Sequence, residues 1–188
     1  MTNQYTYVLN VVSSDHPGII AGVSTALYEI EGNIDSCSQT VLDGYFTLIL
    51  VATLPKQWEP DKLSEHIKSH PLLGQDYKIV AVPVSEPVVA KKQSESDVFV
   101  VTAFGKDGPG IVHDFCRYLA DKEVNILDLY GRRENDEFLL IAQVQIPPQL
   151  SIAVLQDDLE AIAQEHDYTV KLQHNNIFVA TNDIRLYD

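Results

Sequence analysis

The sequence predicts an α+β chain of two tandem ferredoxin-like βαββαβ modules, each an antiparallel sheet with helices on one face. Three observations carry that prediction: an internal repeat, the same order of strand-like and helix-like segments in both copies, and matching turn residues. Shifted by 92 residues, the chain aligns on itself without a gap over about forty-five positions. Asp15-His16-Pro17-Gly18-Ile19 falls on Asp107-Gly108-Pro109-Gly110-Ile111, and Leu27 on Leu119. Asn33-Ile34 falls on Asn125-Ile126, Phe46 on Phe138, Leu48-Ile49 on Leu140-Ile141 and Pro55 on Pro147.

Each element follows from local pattern. Residues 5–12 and 98–104 are β-branched and aromatic, which suits a strand. The Asp-x-Pro-Gly segment comes next, with the Asp as candidate N-cap and the proline expected in the first helical turn. Ile19, Val23, Leu27 and Ile30, then Ile111, Phe115 and Leu119, recur at helical spacing. A strand pair is expected over 34–42 and 45–54, and again over 126–133 and 137–146. Asp43-Gly44 and Asn135-Asp136 sit where the hairpin turns belong. Second helices are expected near 59–70 and 152–166, the latter with Leu155, Leu159 and Ile162 on one face. Last strands are expected near 77–84 and 168–174. Residues 85–97, broken by Pro87 and polar in their second part, read as a linker between module 1 (1–84) and module 2 (98–188, with a C-terminal extension).

Composition narrows the function classes. The 188 residues carry a net charge of −14, and hydrophobic residues make up 45%, enough for packed cores. Residues 1–94 hold 6 basic and 10 acidic side chains; residues 95–188 hold 7 and 17. Such a chain is repelled by phosphate backbones, so no direct nucleic-acid binding is expected. No run approaches a membrane span, and no signal peptide is read at Met1, so a cytoplasmic protein is expected. Cys37 and Cys116 are too few for a disulfide framework and read as buried or half-buried inert thiols. His66 and His70, four apart on a helix, read as surface histidines rather than as a metal pair, since no third ligand is near. No catalytic triad spacing, phosphate-cradling loop or metal-ligand pattern appears, so no enzymatic activity, no metal and no cofactor are expected.

The strand, the Asp-x-Pro-Gly-Ile turn, the helix and the following Asn-Ile resemble the ACT domain, a small regulatory module. Two such modules without a catalytic domain resemble the glycine cleavage system transcriptional repressor family. Ala21-Gly22-Val23-Ser24-Thr25, Ser38-Gln39-Thr40-Val41 and Gly44-Tyr45-Phe46-Thr47-Leu48 resemble stand-alone bacterial ACT proteins. The ending, Asn176-Ile177-Phe178 with Asp183-Ile184, resembles the tail of those proteins. The resemblance implies a non-enzymatic regulator that binds an amino acid at module interfaces and acts on a protein partner, a transcription regulator or an enzyme. The alternatives it leaves open are a repressor that needs no small ligand and a detached regulatory subunit of a biosynthetic enzyme.

The candidate ligand-binding residues lie in the turns. Gly18 and Gly110 lack a Cβ, so a ligand can approach the backbone. The N–H groups near Gly18-Ile19-Ile20 and Gly110-Ile111 offer a carboxylate the positive end of a helix. Asp15 and Asp107 are candidates for an α-ammonium, and His16 for a carboxylate. Asn33-Ile34 and Asn125-Ile126 would contribute from a neighbouring module, as the resemblance implies. A purely structural account stands beside this one: Asp caps, Pro-Gly turns, and Asn tolerates a left-handed backbone. Ala21-Gly22 in the first copy suits close helix packing against another module, and His113-Asp114 replaces it in the second. The first module is therefore the preferred site. Exposed sheet edges in such small modules predict a homodimer.

Overall fold

Period-two burial organises both sheets. Along β1 (Tyr5–Ser14), Tyr7, Leu9 and Val11 turn inward while Val12 and Asn10 face out. The computed structural model describes residues 4–74, 76–84 and 98–182. The expected linker, 85–97, lies outside the described residues, as do Asp183 and Ile184. The chain divides into two units, Met1–Val89 and Ala90–Asp188.

In the first unit β1 leads through a turn into α1 (Ile19–Glu29), then β2 (Asn33–Leu42), β3 (Tyr45–Leu54), α2 (Pro60–Lys68) and β4 (Lys78–Val84). The antiparallel sheet runs β2-β3-β1-β4, the ferredoxin-like order. Asp43 and Gly44, with φ of 50° and 82°, make the two-residue turn that joins β2 to β3. Val23, Ala26 and Leu27 of α1 and Leu63 and Ile67 of α2 pack with Leu48, Leu50 and Ala52 of β3 into one core. The Tyr7 hydroxyl sits inside this core within 2.7 Å of the Trp58 carbonyl, to which it donates. The edge strand β2 carries a register shift between Ile34 and Ser36, which places Asp35 in a bulge. The other edge, β4, contains Pro83 opposite Tyr7.

The second unit repeats the order with β5 (Val98–Lys106), α3 (Ile111–Asp121), β6 (Asn125–Glu134), β7 (Glu137–Gln145), α4 (Ile152–Glu165) and β8 (Tyr168–His174). Its sheet runs β6-β7-β5-β8, the same order as the first. The bulge recurs between Ile126 and Asp128. Phe115 and Leu119 of α3 meet Leu155 and Leu159 of α4 over Ala103, Leu140 and Ala142. The observed elements agree with the expected ones to within two residues at nearly every end.

One element was not expected. α5 (Asn175–Asn182) continues directly from β8 and packs on β5 and β8. Asn175 accepts from Gln143 at 3.3 Å, and Gln143 pairs with Val100 of β5. Phe178 is buried, as are Val98 and Val100, which point away from the main core residues Val101 and Ala103. The helix thus covers part of the sheet face that α3 and α4 leave bare.

Candidate functional site

Both βα turns end in a glycine that the backbone requires. Gly18 (φ 99°) and Gly110 (φ 104°) are the N-cap residues of α1 and α3, in the left-handed region, and neither helix start has a side-chain cap. This corrects the expectation that Asp15 and Asp107 cap the helices and that Pro17 and Pro109 lie in their first turns. The prolines fix the turn one step before the glycine, so the helices begin at Ile19 and Ile111 and the aspartates lie too far upstream. Asp15 and Asp107 instead close the turn from behind. Their backbone N–H groups donate to the carbonyls of Gly44 (2.8 Å) and Asp136 (2.7 Å), tying each turn to a hairpin tip. The first intrahelical bonds run from Gly22 to Gly18 and from Asp114 to Gly110. The N–H groups of Ile19, Ile20 and Ala21, and of Ile111, Val112 and His113, therefore precede the helical ladder at the positive end of the dipole. The Ile19 and Ile111 side chains are buried core anchors, so only their backbones face the turn, while Ile20 is exposed.

The two turns differ in what surrounds the glycine. A Cβ on Gly18 would meet nothing within 4 Å. A Cβ on Gly110 would lie 3.5 Å from both Asp114 Oδ2 and His166 Cε1. Asp114 accepts from His166 Nε2 at 2.7 Å and pairs with His113 Nδ1 at 2.8 Å. The matching contact in the first unit is apolar: Gly22 lies against Leu72 and Leu73 of its own unit, with Leu73 Cδ2 at 2.6 Å from where a Cβ would stand. Gly22 is thus buried against its own unit.

The hydrogen bond from His113, then that from His166, holds the Asp114 carboxyl below the ordinary carboxylate range. A lowered folded-state pKa contributes stability above the unfolded value, near 4, and that contribution is lost as pH falls through the folded value. Asp114→Asn is expected to flatten the acid limb of the second unit's melting temperature below about pH 4. Thermal melts of both proteins between pH 6 and pH 2 (roughly the span over which the carboxyl titrates) check this; parallel limbs would refute it.

His16 is neither idle nor free. Its Nδ1 faces the Pro17 carbonyl at 3.0 Å, which can only accept, so in the neutral ring Nδ1 carries the proton and Nε2 accepts. The buried Tyr77 hydroxyl donates to that Nε2 at 2.7 Å, and the rings meet edge to face. Asp107 is engaged too, its carboxylate 3.2 Å from Arg133 Nε.

Asn33 and Asn125 are the first residues of β2 and β6 rather than loop residues. Asn33 Nδ2 donates to Asp35 Oδ1 at 2.7 Å, and Thr53 donates to Asp35 Oδ2 at 2.6 Å. A carboxylate only accepts, so this pair fixes the amide with its carbonyl turned away from Asp35. Ile34 and Ile126 pack against the two cores. Within one module the turn and the asparagine are not brought together. Ser14 pairs with Tyr45 and Asn33 with Thr53, so they stand at opposite ends of β3, about 26 Å apart at ~3.3 Å per residue.

Other expectations need correction. Cys37 is exposed on the edge strand, not buried; Cys116 is half-buried, and burial raises its pKa. His66 is hydrogen-bonded to the Ala26 carbonyl at 3.1 Å and packed on Trp58, while His70 accepts from the Leu72 N–H and lies 3.4 Å from Glu29. His66 therefore fastens α2 to α1, and His70 fastens the segment just after α2 to α1, rather than facing solvent. No group of three metal-ligating side chains occurs among the described residues. None of the described helices is long and apolar enough to cross a membrane. Sequence reasoning missed Asp35, Tyr77 and the Asp114–His166 contact. Tyr77 and Tyr168 stand 91 residues apart, one short of the repeat, which is the signal that offers them.

Comparison with known proteins bears on this architecture. A model of the ACT domain matches residues 97–173. A UPF0237 protein of Corynebacterium efficiens is 54% identical over 43 residues, which is 23% of this chain and 48% of that one. A UPF0237 protein of Listeria monocytogenes is 47% identical over 47 residues, 25% of this chain and 53% of that one. The chain spans about half the length of the curated relatives it matches. A solved protein from Galdieria sulphuraria, described as unknown, superposes with a TM-score of 0.69 at 22% identity, over 91% of this chain and 98% of that one. A structure described as a putative glycine cleavage system transcriptional repressor superposes with a TM-score of 0.63 at 19% identity, over 90% and 96%. At these identities the likeness is one of fold.

Proposed function

We propose that this chain, two tandem ferredoxin-like modules of which the second matches the ACT domain, is a regulatory protein, not an enzyme, that binds a free amino acid at the first module's turn and acts on a protein partner. The observation that supports this reading is the open Gly18 cap. Three N–H groups precede the α1 ladder, no side chain caps them, and nothing stands within 4 Å of the glycine's missing Cβ. An α-carboxylate suits that seat. The second module's seat is less suited, because the Asp114 carboxylate already stands beside Gly110.

The ligand's ammonium needs acceptors, and the Asn33 carbonyl, held outward by Asp35, supplies one. Since Asn33 lies at the far end of its own sheet, it serves the turn of a neighbouring copy. Antiparallel side-by-side placement of two β2 edges brings the Leu42 end of one strand beside the Asn33 end of the other. A homodimer completes the site in this way. With a charge of −10 in residues 95–188, the partner contact is made by protein rather than by nucleic acid. A cytoplasmic location and a co-regulator role of the glycine cleavage repressor type complete the proposal.

A thermal-shift screen of the protein amino acids tests it. A ligand at 100 times its dissociation constant stabilises by about 2.7 kcal/mol, a shift of several degrees. No shift with any amino acid at millimolar concentration overturns the reading.

A further inference from the structure

We propose that the turn 107–110 of the second unit is a second ligand site of different chemistry, whose specificity-determining group is the Tyr168 hydroxyl and whose ligand presents a neutral heteroaromatic nitrogen of the imidazole type. The proposal takes from the reading above only the premise that these turns bind small ligands.

The strand registers make Tyr168 the counterpart of Tyr77. Val12 pairs with Lys78, so the next step sets Ser13 beside Tyr77; in the second sheet Gly105 pairs with Tyr168. Ser13 and Gly105 are 92 residues apart, as are His16 and Gly108. In the first unit the tyrosine hydroxyl is satisfied by the His16 imidazole, with the Ser13 hydroxyl also beside it. In the second unit the tyrosine is kept while both neighbours become glycine. Tyr168 is 7% exposed, and its hydroxyl is buried with no hydrogen-bond partner. A buried hydroxyl left in this state is costly and calls for a partner.

The two glycines are not alike. A Cβ on Gly105 would lie 2.6 Å from the Asp167 carbonyl oxygen, so the strands close that side. A Cβ on Gly108 would meet nothing within 4 Å, so the turn leaves room for added atoms at the position that His16 holds in the first unit. Burial, reinforced by the nearby Asp107 charge, raises the hydroxyl's pKa and keeps it a donor. The ligand atom must then be an acceptor. Asp107, although paired with Arg133, and Asp114 beside Gly110 make the surroundings unfavourable to a carboxylate. A neutral aromatic nitrogen meets both conditions, and it is the group that the first unit itself supplies.

The probe is imidazole, titrated at pH 8, where the ring is mostly neutral, and followed by two-dimensional amide NMR of the full chain. Saturable shifts confined to residues 105–112 and 168 are expected. Gly108→His is expected to abolish those shifts and to raise the melting temperature of the second unit by about 4 °C, since one hydrogen bond is gained in a small domain. Tyr168→Phe is expected to abolish the shifts with no loss of melting temperature. Three results overturn the proposal: no saturable shifts, shifts that persist in Gly108→His, or a Tyr168→Phe protein destabilised by several degrees, which would show the hydroxyl already satisfied. Imidazole carries no carboxylate, so a failed amino-acid screen and a failed imidazole titration are separate results.

Discussion

Gly105→Ala is expected to destabilise the second unit strongly while leaving the first intact. The added Cβ would lie 2.6 Å from the Asp167 carbonyl oxygen and 2.9 Å from both Cα and Cγ of Tyr168. Two of those atoms are backbone, and Gly105 pairs with Tyr168 in the ladder that joins β5 to β8. No rotamer change relieves such a contact; the strands must separate. Overpacking of this kind costs about 1–3 kcal/mol, and loss of the adjoining pairs puts this case at the upper end. For a domain of this size that lowers the melting temperature by roughly 10–20 °C. Calorimetry with Ser13→Ala as the control checks it. Ser13 occupies the corresponding place in the first unit with a side chain already present, so its transition is expected to move little. A Gly105→Ala protein that melts like the wild type would show that β8 shifts freely.

Gly18→Val and Asn33→Ala are expected to weaken the proposed amino-acid site in two distinguishable ways. Gly18 has φ 99° in open space, so valine meets no neighbour but is forced into a left-handed backbone. Its folding cost is roughly 1–2 kcal/mol or more, borne by the first unit, and its side chain stands over the free N–H groups. Binding should be lost. Asn33→Ala leaves the backbone alone and removes one polar contact, worth about 1–3 kcal/mol if desolvated, or roughly a 5- to 150-fold loss of affinity. Isothermal titration with the amino acid found in the screen reads both, and circular dichroism monitors the fold. A folded Gly18→Val protein that binds with unchanged affinity would remove the carboxylate seat from the argument. If Asn33→Ala alone has no effect, the asparagine does not reach a neighbouring turn.

The strand and helix order was legible because each element has a burial period that the sequence displays. Leu48, Leu50 and Ala52 alternate inward along β3 just as Leu140, Ala142 and Val144 do along β7. The ends of α1 and α3 were less legible. Aspartate two residues before Pro-Gly looks like a cap, and only the backbone reveals that glycine takes that place. The candidate site was legible as a turn and an asparagine but not as a geometry, since registers set them at opposite ends of one sheet. Asp35 escaped notice because its role depends on a bulge, which no periodicity announces. Likewise the contact of Asp114 with His166 joins residues 52 apart, and neither is unusual in its own segment. Helix α5 was not legible because Asn175, Asn176, Ile177, Val179 and Thr181 are weak helix formers.

Pro83 has a bearing on how far an assembly of this protein can grow. An edge strand with free N–H and C=O groups along its length accepts another strand, and a module open at both edges can propagate without limit. A proline has no N–H to give, and in a sheet it belongs on an edge with its nitrogen turned outward. On the β4 side, then, the row of donors is interrupted at the penultimate position of a strand of 7 residues. The β2 side stays available, but a pair of copies joined there through a two-fold axis uses the same edge on both and leaves none to extend. If copies pair through β2 as proposed, the first module's assembly closes at two, with one edge blunted by a residue that cannot donate.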